Sequence, residues 1–550
     1  MADNYIIELR LNTNDNDIAI LNKCFNIATG IYNKLVSFAN KQLKRMKENK
    51  TYQNTLKQYL YYKDINDKAN VKLYSNLLNE IRMSYSLSEY QFHSIIKTQQ
   101  NMYKEHIDSN TSQKLASTVW KAVESVLFKK GQYVHYKKFN TLLSLEGKSN
   151  KQGIRFKKQE EVILTDKDKK KYEKAKPYEK YNIKRLNKLK QQNRLEWNGL
   201  IIPVKIRHND LFVKESLENN IKYCRIVRKS FKNGYKYFLQ LIISGLPPAK
   251  RIHGKVNYGN LRHIATTPNN RIGIDIGTST IAVCSKNKVI LRELAINSKQ
   301  YDREIYKLQR KLERSKRATN PNNFNLNGTI KKGLTIILPN GKKIKEKLKW
   351  SYSKNYYKTL NKLKNLYRLK SVYITLEHNK LAKEIIFLGN EIYVETMRFN
   401  ALAKRATYKE GEGLNSKGKH KKKKRYGKSI NNKAPSKLLT IIETKLSYEG
   451  LKLYKVNTRS FKASQYNHIE DKYIKKELNE RVNIIDGKLI QRDLYSSFLL
   501  MNSKKNLKET DRKLCIDNYD NFKINHDKEI REIIDSGIKV PYSFGIKKFK

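Results

Sequence analysis

The stretch RIGIDIGTSTIAV, residues 271–283, constrains the fold of this chain more than any other. Ile272, Ile274 and Ile276 alternate with Gly273, Asp275 and Gly277, the period-two pattern of a strand with one apolar face. The other face carries a single carboxylate between two residues that have no side chain. Three arrangements fit such a face: a turn that cradles phosphate, a first metal ligand with open space around it, or a buried strand that ends in a turn. The elements that follow bear on the choice.

STIAVCS and KVILREL read as two further short strands, joined by the turns GTS and KNK. QYDREIYKLQRKLERSKR (300–317) has helical spacing, with Ile305, Leu308 and Leu312 on one face, and NPNNFNLNG (320–328) breaks it. A long helix is expected over 356–389. Its apolar stripe runs through Tyr356, Leu360, Leu363, Tyr367, Ile374, Leu381, Ile385 and Leu388, and Gly389 stops it. A strand over 391–396, a helix over 434–450, a strand over 451–457 and a last helix over 491–503 complete the series. The order βββ–α–β–α–β–α predicts an RNase H-type domain.

Within that order three acids fall on elements whose ends such a fold gathers: Asp275 on the first strand, Glu395 at the end of YVE, and Asp493 at the start of the last helix. Gly273 and Gly277 are expected to leave room for a metal and a phosphate, and Ser496 and Ser497 to let the last helix lie close to the sheet. Converging carboxylates repel unless cations fill the space between them. Hard oxygen donors select Mg²⁺ or Mn²⁺, and two such ions about 3.5–4 Å apart clamp an in-line displacement at phosphorus.

Earlier in the chain, NYIIELRLN (4–12) reads as a strand and 17–48 as a helix with Leu21, Phe25, Ala28, Tyr32, Leu35 and Phe38 on one side. Helical patterns continue to about residue 130; a Lys-rich excursion spans 159–195; three strand-like segments occupy 199–245. Lys and Arg outnumber Asp and Glu 115 to 51, a net charge of +64. Charge of that size repels itself unless a polyanion neutralises it, and nucleic acid does so with a gain from released counterions. No membrane-spanning apolar run or signal segment is read from the sequence. Cys24, Cys224, Cys284 and Cys515 lie far apart, which argues against a disulfide framework or a CxxC zinc ribbon and fits a reducing cytoplasm.

GIDIGTST, VETMRFN and QRDLYSSFL resemble the three split RuvC motifs of the TnpB family, proteins of bacterial insertion sequences similar to compact type V CRISPR effectors. IYNKLV, SLEGKSNKQGIRF, LQRKLERSKRATNPNNF and NTRSFKASQYNH resemble the family's supporting stretches. The resemblance covers roughly residues 5–504. It implies a multidomain α/β protein: a wedge β-barrel over 1–18 and 131–270, an inserted helical recognition domain over 19–130, and an RNase H-like RuvC nuclease domain over 271–504, with 505–550 left as a basic polar tail. It implies an RNA-guided DNA endonuclease of an insertion-sequence-type element, bacterial, cytoplasmic and nucleoid-associated. The partners would be a guide RNA from the transposon end and double-stranded DNA with a short adjacent motif. Asp275, Glu395 and Asp493 would hold two Mg²⁺ or Mn²⁺ ions, and Arg492 is a candidate contact to the scissile phosphate. Where many relatives carry a four-cysteine zinc ribbon, residues 458–490 have no cysteine and only His468, so a hairpin or short helix without zinc is expected. The third motif, DLYSS, lacks the asparagine frequent in the family. Lys421, Lys422, Lys423, Lys424 and Arg425 form a basic run that either lines the substrate path or is a solvated linker.

Other readings stand beside this one: a nuclease-dead RNA-guided repressor, a compact CRISPR effector, and a DDE-type transposase. GIDIGTS also resembles the first phosphate loop of actin-like ATPases, but the chain has only 23 glycines and lacks the further glycine-rich loops such a site needs.

Overall fold

The computed structural model describes residues 4–549 apart from 129–130, 162–171, 249–250, 253–254, 257–269, 332, 334, 338, 340–342, 346–347, 405–425 and 478. The chain divides into two compact units. One comprises residues 3–230 and 234–248, and the other is dominated by 249–550.

The first unit is built on a seven-stranded sheet. Its strands are β1 (Asn4–Leu11), β2 (Ser144–Glu146), β3 (Arg155–Lys157), β4 (Arg194–Trp197), β5 (Leu200–Lys205), β6 (Ile221–Phe231) and β7 (Gly234–Ser244), in the order β2-β6-β7-β1-β5-β4-β3. β1 alternates without fault: Tyr5, Ile7, Leu9 and Leu11 are buried, and the first three sit opposite Ile243, Leu241 and Leu239 of β7. The order ends on β2 and β3, so among the described residues the sheet has two edges where the barrel implied by the family resemblance would be closed.

Five helices follow β1: α1 (Asp15–Glu48), α2 (Lys50–Asp64), α3 (Lys68–Ser84), α4 (Glu89–Asn101) and α5 (Ser109–Phe128). Asn14 starts α1 through a capping box, its side chain accepting from the Asp17 amide while Asp17 accepts from its own. The α1 stripe of Leu21, Phe25, Ala28, Tyr32 and Leu35 is buried in the same apolar cluster as β1 and β7. Helical block and sheet therefore share one core. In the Lys-rich excursion, Pro177–Lys190 is a helix. Buried Arg194 closes its neck, donating to the carbonyls of Lys158 (3.2 Å) and Lys190 (2.8 Å) and pairing with Glu160 and Glu196.

The second unit holds a five-stranded sheet. β8 (Arg271–Ile276), β9 (Thr280–Ser285), β10 (Val289–Glu293), β11 (Glu391–Glu395) and β12 (Leu453–Val456) lie in the order β10-β9-β8-β11-β12. The first three are antiparallel; β8, β11 and β12 are parallel neighbours. The helices are α6 (Gln300–Thr319), α7 (Lys354–Leu388), α8 (Pro435–Ser447), α9 (Arg492–Met501) and α10 (Arg512–Asp535). The order expected from pattern is present except that two helices, α6 and α7, lie between β10 and β11, and boundaries move by a few residues.

Each face of the sheet has its own core. Ile272, Ile274, Ile276, Ile392 and Val394 pack with Ile385 and Ile386 of α7 and with Leu438, Ile442 and Leu446 of α8. Ala282, Cys284 and Tyr393 pack on the other side with Leu494, Phe498 and Met501 of α9 and Tyr519 and Phe522 of α10. A mixed sheet whose parallel strands are covered on both faces is the arrangement such apolar strands require. Ile305 and Leu312 of α6 bury against Leu363 of α7.

Two expectations need correction. The stripe on α7 is not purely apolar: Tyr367 is 47% exposed, while Lys370 and His378 occupy buried positions. Lys370 is tolerated there because Asp302 and Asn432 accept from its ammonium at 2.5 and 2.7 Å, and His378 because its Nε2 lies 2.7 Å from the Lys433 carbonyl. Residues 505–550, expected as a polar tail outside the domain, are part of its core. Cys515, Tyr519, Phe522, His526 and Ile530 of α10 are buried, and Glu529 accepts from the Leu291 amide of β10 at 2.8 Å.

Candidate functional site

Asp275 is the penultimate residue of β8 and lies opposite Ala282. Ile274 is level with Val394 of β11, so Glu395 extends one step further along the adjacent parallel strand. Period-two alternation puts Asp275 on the face of Gly273, and Glu395 on the face of Tyr393, where α9 packs. Asp493 is the second residue of α9, in its first turn, where the helix dipole favours an anion. The helix starts here because Gln491 caps it, its Oε1 accepting from the Leu494 amide at 2.7 Å.

What holds α9 against the strand is Gly273. A Cβ added there would lie 1.8 Å from the Ser497 carbonyl oxygen and 2.4 Å from the Met501 nitrogen, both backbone atoms. The expectation that Gly273 leaves room for a metal and a phosphate is therefore corrected: the helix backbone fills that room. Ser496 and Ser497 are buried, as a close helix–sheet approach requires. Gly277 differs, because a Cβ there would lie 3.1 Å from the Thr280 Oγ1 and at ordinary contact, 3.6 Å, from the Thr280 carbonyl oxygen.

Asp275 feels the other two acids. Burial pushes the Asp275 carboxyl well above the ordinary carboxylate range, Asp493 and then Glu395 push it further, and Arg492 and Arg481 oppose them. Burial raises Glu395 to about 7. The Asp493 side chain is 18% exposed. Among the described residues, however, no three His, Cys, Asp or Glu side chains stand as a ready-made metal cage. The three carboxylates are thus neighbours in the electrostatic sense without converging on one point. Carboxylate-bearing side chains can turn by rotamer change, and a cation between them would offset their mutual repulsion. An all-oxygen donor set with that excess of negative charge fits a hard divalent ion, provided the side chains turn inward.

Arg492 does not present a free guanidinium. Its Nη1 donates to the carbonyls of Glu480 (2.7 Å) and Glu477 (3.3 Å), and its Nε lies 3.6 Å from Asp493 Oδ1. It ties the 477–480 segment to the start of α9. Arg481, not anticipated from the sequence, is a second cation acting on Asp275. It sits at the mouth of a hairpin, Val482–Ile485 with Lys488–Gln491, and its carbonyl accepts from the Arg492 amide at 3.0 Å. The signal was present: Asp486-Gly487, both left-handed, is a two-residue hairpin turn, and counting back from it sets Arg481 across from Arg492.

The rest of 458–490 holds a one-turn helix, Thr458–Phe461, and a short ladder of Tyr466–Asn467 with Lys472–Tyr473. His468 is buried against Tyr495, Phe498 and Tyr519, with its Nδ1 2.7 Å from the Tyr495 hydroxyl. Lys421, Lys422, Lys423, Lys424 and Arg425 lie outside the described residues. Among the described residues no helix is long and apolar enough to cross a membrane.

No family model matches the chain, and no curated protein matches it. Among solved structures it is similar to a chain of a Cas12f1–sgRNA–target DNA complex at 10% identity and a TM-score of 0.41, covering 91% of this chain and 99% of that one. A chain of a CRISPR-Cas12f ternary complex gives 12% identity and a TM-score of 0.22, covering 90% and 86%. Likeness at that level leaves the reading of the site to the site's own residues.

Proposed function

We propose that this chain is an RNA-guided DNA endonuclease of an insertion-sequence-type mobile element, hydrolysing phosphodiesters at Asp275, Glu395 and Asp493. The observation that carries the reading is the gathering of three acids, distant in sequence, at one face of the five-stranded sheet, where burial and then the other two acids raise Asp275. The resemblance of their surrounding stretches to the split RuvC motifs of TnpB proteins supports it, as does a net charge of +64, which suits a protein that neutralises RNA and DNA together.

Two Mg²⁺ or Mn²⁺ ions held by the three carboxylates would supply activation of a water nucleophile and stabilisation of the departing 3′ oxygen. The chain's own work is positional. β8 and β11 fix Asp275 and Glu395 on adjacent strands, Gly273 lets α9 bring Asp493 to them, and Arg492 pins the start of that helix. The first unit would serve as wedge and recognition domain, binding the guide RNA and reading a short target-adjacent motif while base pairing reads the rest.

The test is to purify the full chain with the RNA that accompanies it, sequence that RNA, and offer a matching duplex with Mg²⁺ or with EDTA. One discrete transposon-end RNA and Mg²⁺-dependent cutting, lost in Asp275→Ala, Glu395→Ala and Asp493→Ala, is expected. Random cellular RNA, or cutting that survives all three substitutions, overturns the proposal. Discrete RNA with guided binding and no cutting would favour the repressor reading.

A further inference from the structure

Beyond Glu395 the ends of β11 and β12 are clasped together. The Thr396 amide donates to the Val456 carbonyl at 3.1 Å, the Thr396 hydroxyl donates to the same oxygen, and the Thr458 hydroxyl donates to the Thr396 carbonyl at 3.1 Å. The chain then turns away on both sides, leaving a groove of about 630 Å³ at the carboxyl ends of the parallel strands. Open α/β sheets take their ligands at that edge.

The lining is one-sided in charge. Arg398, Lys455 and Arg459 line it together with hydroxyl and amide donors, and among the described residues no acid does. Lys455 is occupied, its ammonium 2.7 Å from Glu443. Arg398 and Arg459 are exposed, and among the described residues neither guanidinium has an ion pair or a hydrogen bond. Two unpaired guanidinium forks over one groove match two phosphates bidentately. Met397 and Leu402 give the groove an apolar part, and its volume falls in the range of pockets that enclose small ligands.

We propose that this groove seats the backbone of a single nucleic-acid strand, Arg398 and Arg459 each holding a phosphate, so that the strand leads past Glu395 to the carboxylates. The assignment rests on the nuclease reading above.

The experiment measures binding of the full chain to fluorescein-labelled oligo(dT) in EDTA, where nothing is cut, across a salt series. Each phosphate contact to a single strand contributes about 0.7 to the slope of log K against log salt. Arg398→Gln/Arg459→Gln is expected to make the slope shallower by about 1.4 and to weaken binding about 20-fold at 0.1 M salt. Both side chains are exposed, so the unfolding midpoint should not move, and Arg398→Lys/Arg459→Lys should restore the slope. If the wild-type chain cuts guided targets while the glutamine variant keeps the wild-type slope, the groove assignment alone falls. A change in slope seen only with duplex DNA also overturns it. If the wild-type chain neither binds oligo(dT) nor cuts, both readings fall.

Discussion

Gly273→Ala is the sharpest test of how the site is assembled. The added methyl would meet backbone on both near sides, the Ser497 oxygen at 1.8 Å and the Met501 nitrogen at 2.4 Å. Ordinary carbon contacts lie near 3.5–4 Å, and no rotamer change can move a main-chain atom. Helix α9 must therefore lift off β8 by an ångström or more, opening the packing of Leu494, Phe498 and Met501 behind it. Overpacking usually costs 1–3 kcal/mol, and a clash against backbone belongs at or above the top of that range, about 3 kcal/mol. In a unit of about 300 residues that lowers Tm by roughly 5 °C. Because Asp493 rides on the displaced helix, cleavage should fall about 100-fold even where the protein remains folded. Thermal unfolding and a guided cleavage assay measure the two effects. Gly277→Ala is the matched control: its Cβ would lie 3.1 Å from a side-chain hydroxyl and 3.6 Å from a carbonyl oxygen, a tenths-of-an-ångström adjustment, so it should cost under about 1 kcal/mol. A Gly273→Ala protein with Tm within about 2 °C of wild type and full cleavage would refute the claim that the glycine exists to admit the helix.

Other consequences follow from burial. His468 is held neutral, its pKa lowered from 6.5 to about 4 chiefly by burial. The unfolded chain takes up a proton that the folded chain refuses, so stability is full above pH 6.5 and declines as pH falls toward 4; between pH 7 and 5 the loss is about 2 kcal/mol. Urea midpoints should show that slope in the wild type and a shallower one in His468→Gln, although buried His378 and His526, also lowered, add to the same window. Lys433, 1% exposed, pairs with Glu293 at 2.8 Å, so Lys433→Met should cost about 3 kcal/mol in thermal unfolding, Lys299 still holding the glutamate at 3.0 Å. Phe522→Ala in α10 should cost about 3–5 kcal/mol by urea unfolding; a cost below 1 kcal/mol would return residues 505–550 to the status of a tail.

The parts legible in the sequence were those with a local period. β8 announces itself by alternation, α6 by Ile305 and Leu312, and the α9 start by the change from the hairpin turn to an apolar run. What escaped reading was decided by distant partners. Nothing beside Gly273 says that residues 497–501 will lie on it. Lys370 and His378 look like solvent-facing positions until Asp302 and the Lys433 carbonyl arrive. α10 is hidden for another reason: its five core residues recur at helical spacing, but Asn, Asp and Lys between them make the segment polar on average. Arg492 was assigned from its neighbour in sequence, whereas the carbonyls of the 477–480 segment claim part of its guanidinium.

The spacing of the acids along the chain carries a consequence for synthesis. At ~5–20 residues per second, Asp493 leaves the ribosome roughly 10–40 s after Asp275, and the α10 carboxylate that caps the β10 amide comes later still. Throughout that interval a growing chain already dense in cations can hold nucleic acid but lacks the third acid. Under the proposed function, a growing copy is a polycation without a blade, and cutting begins only once Asp493 has joined the other two acids.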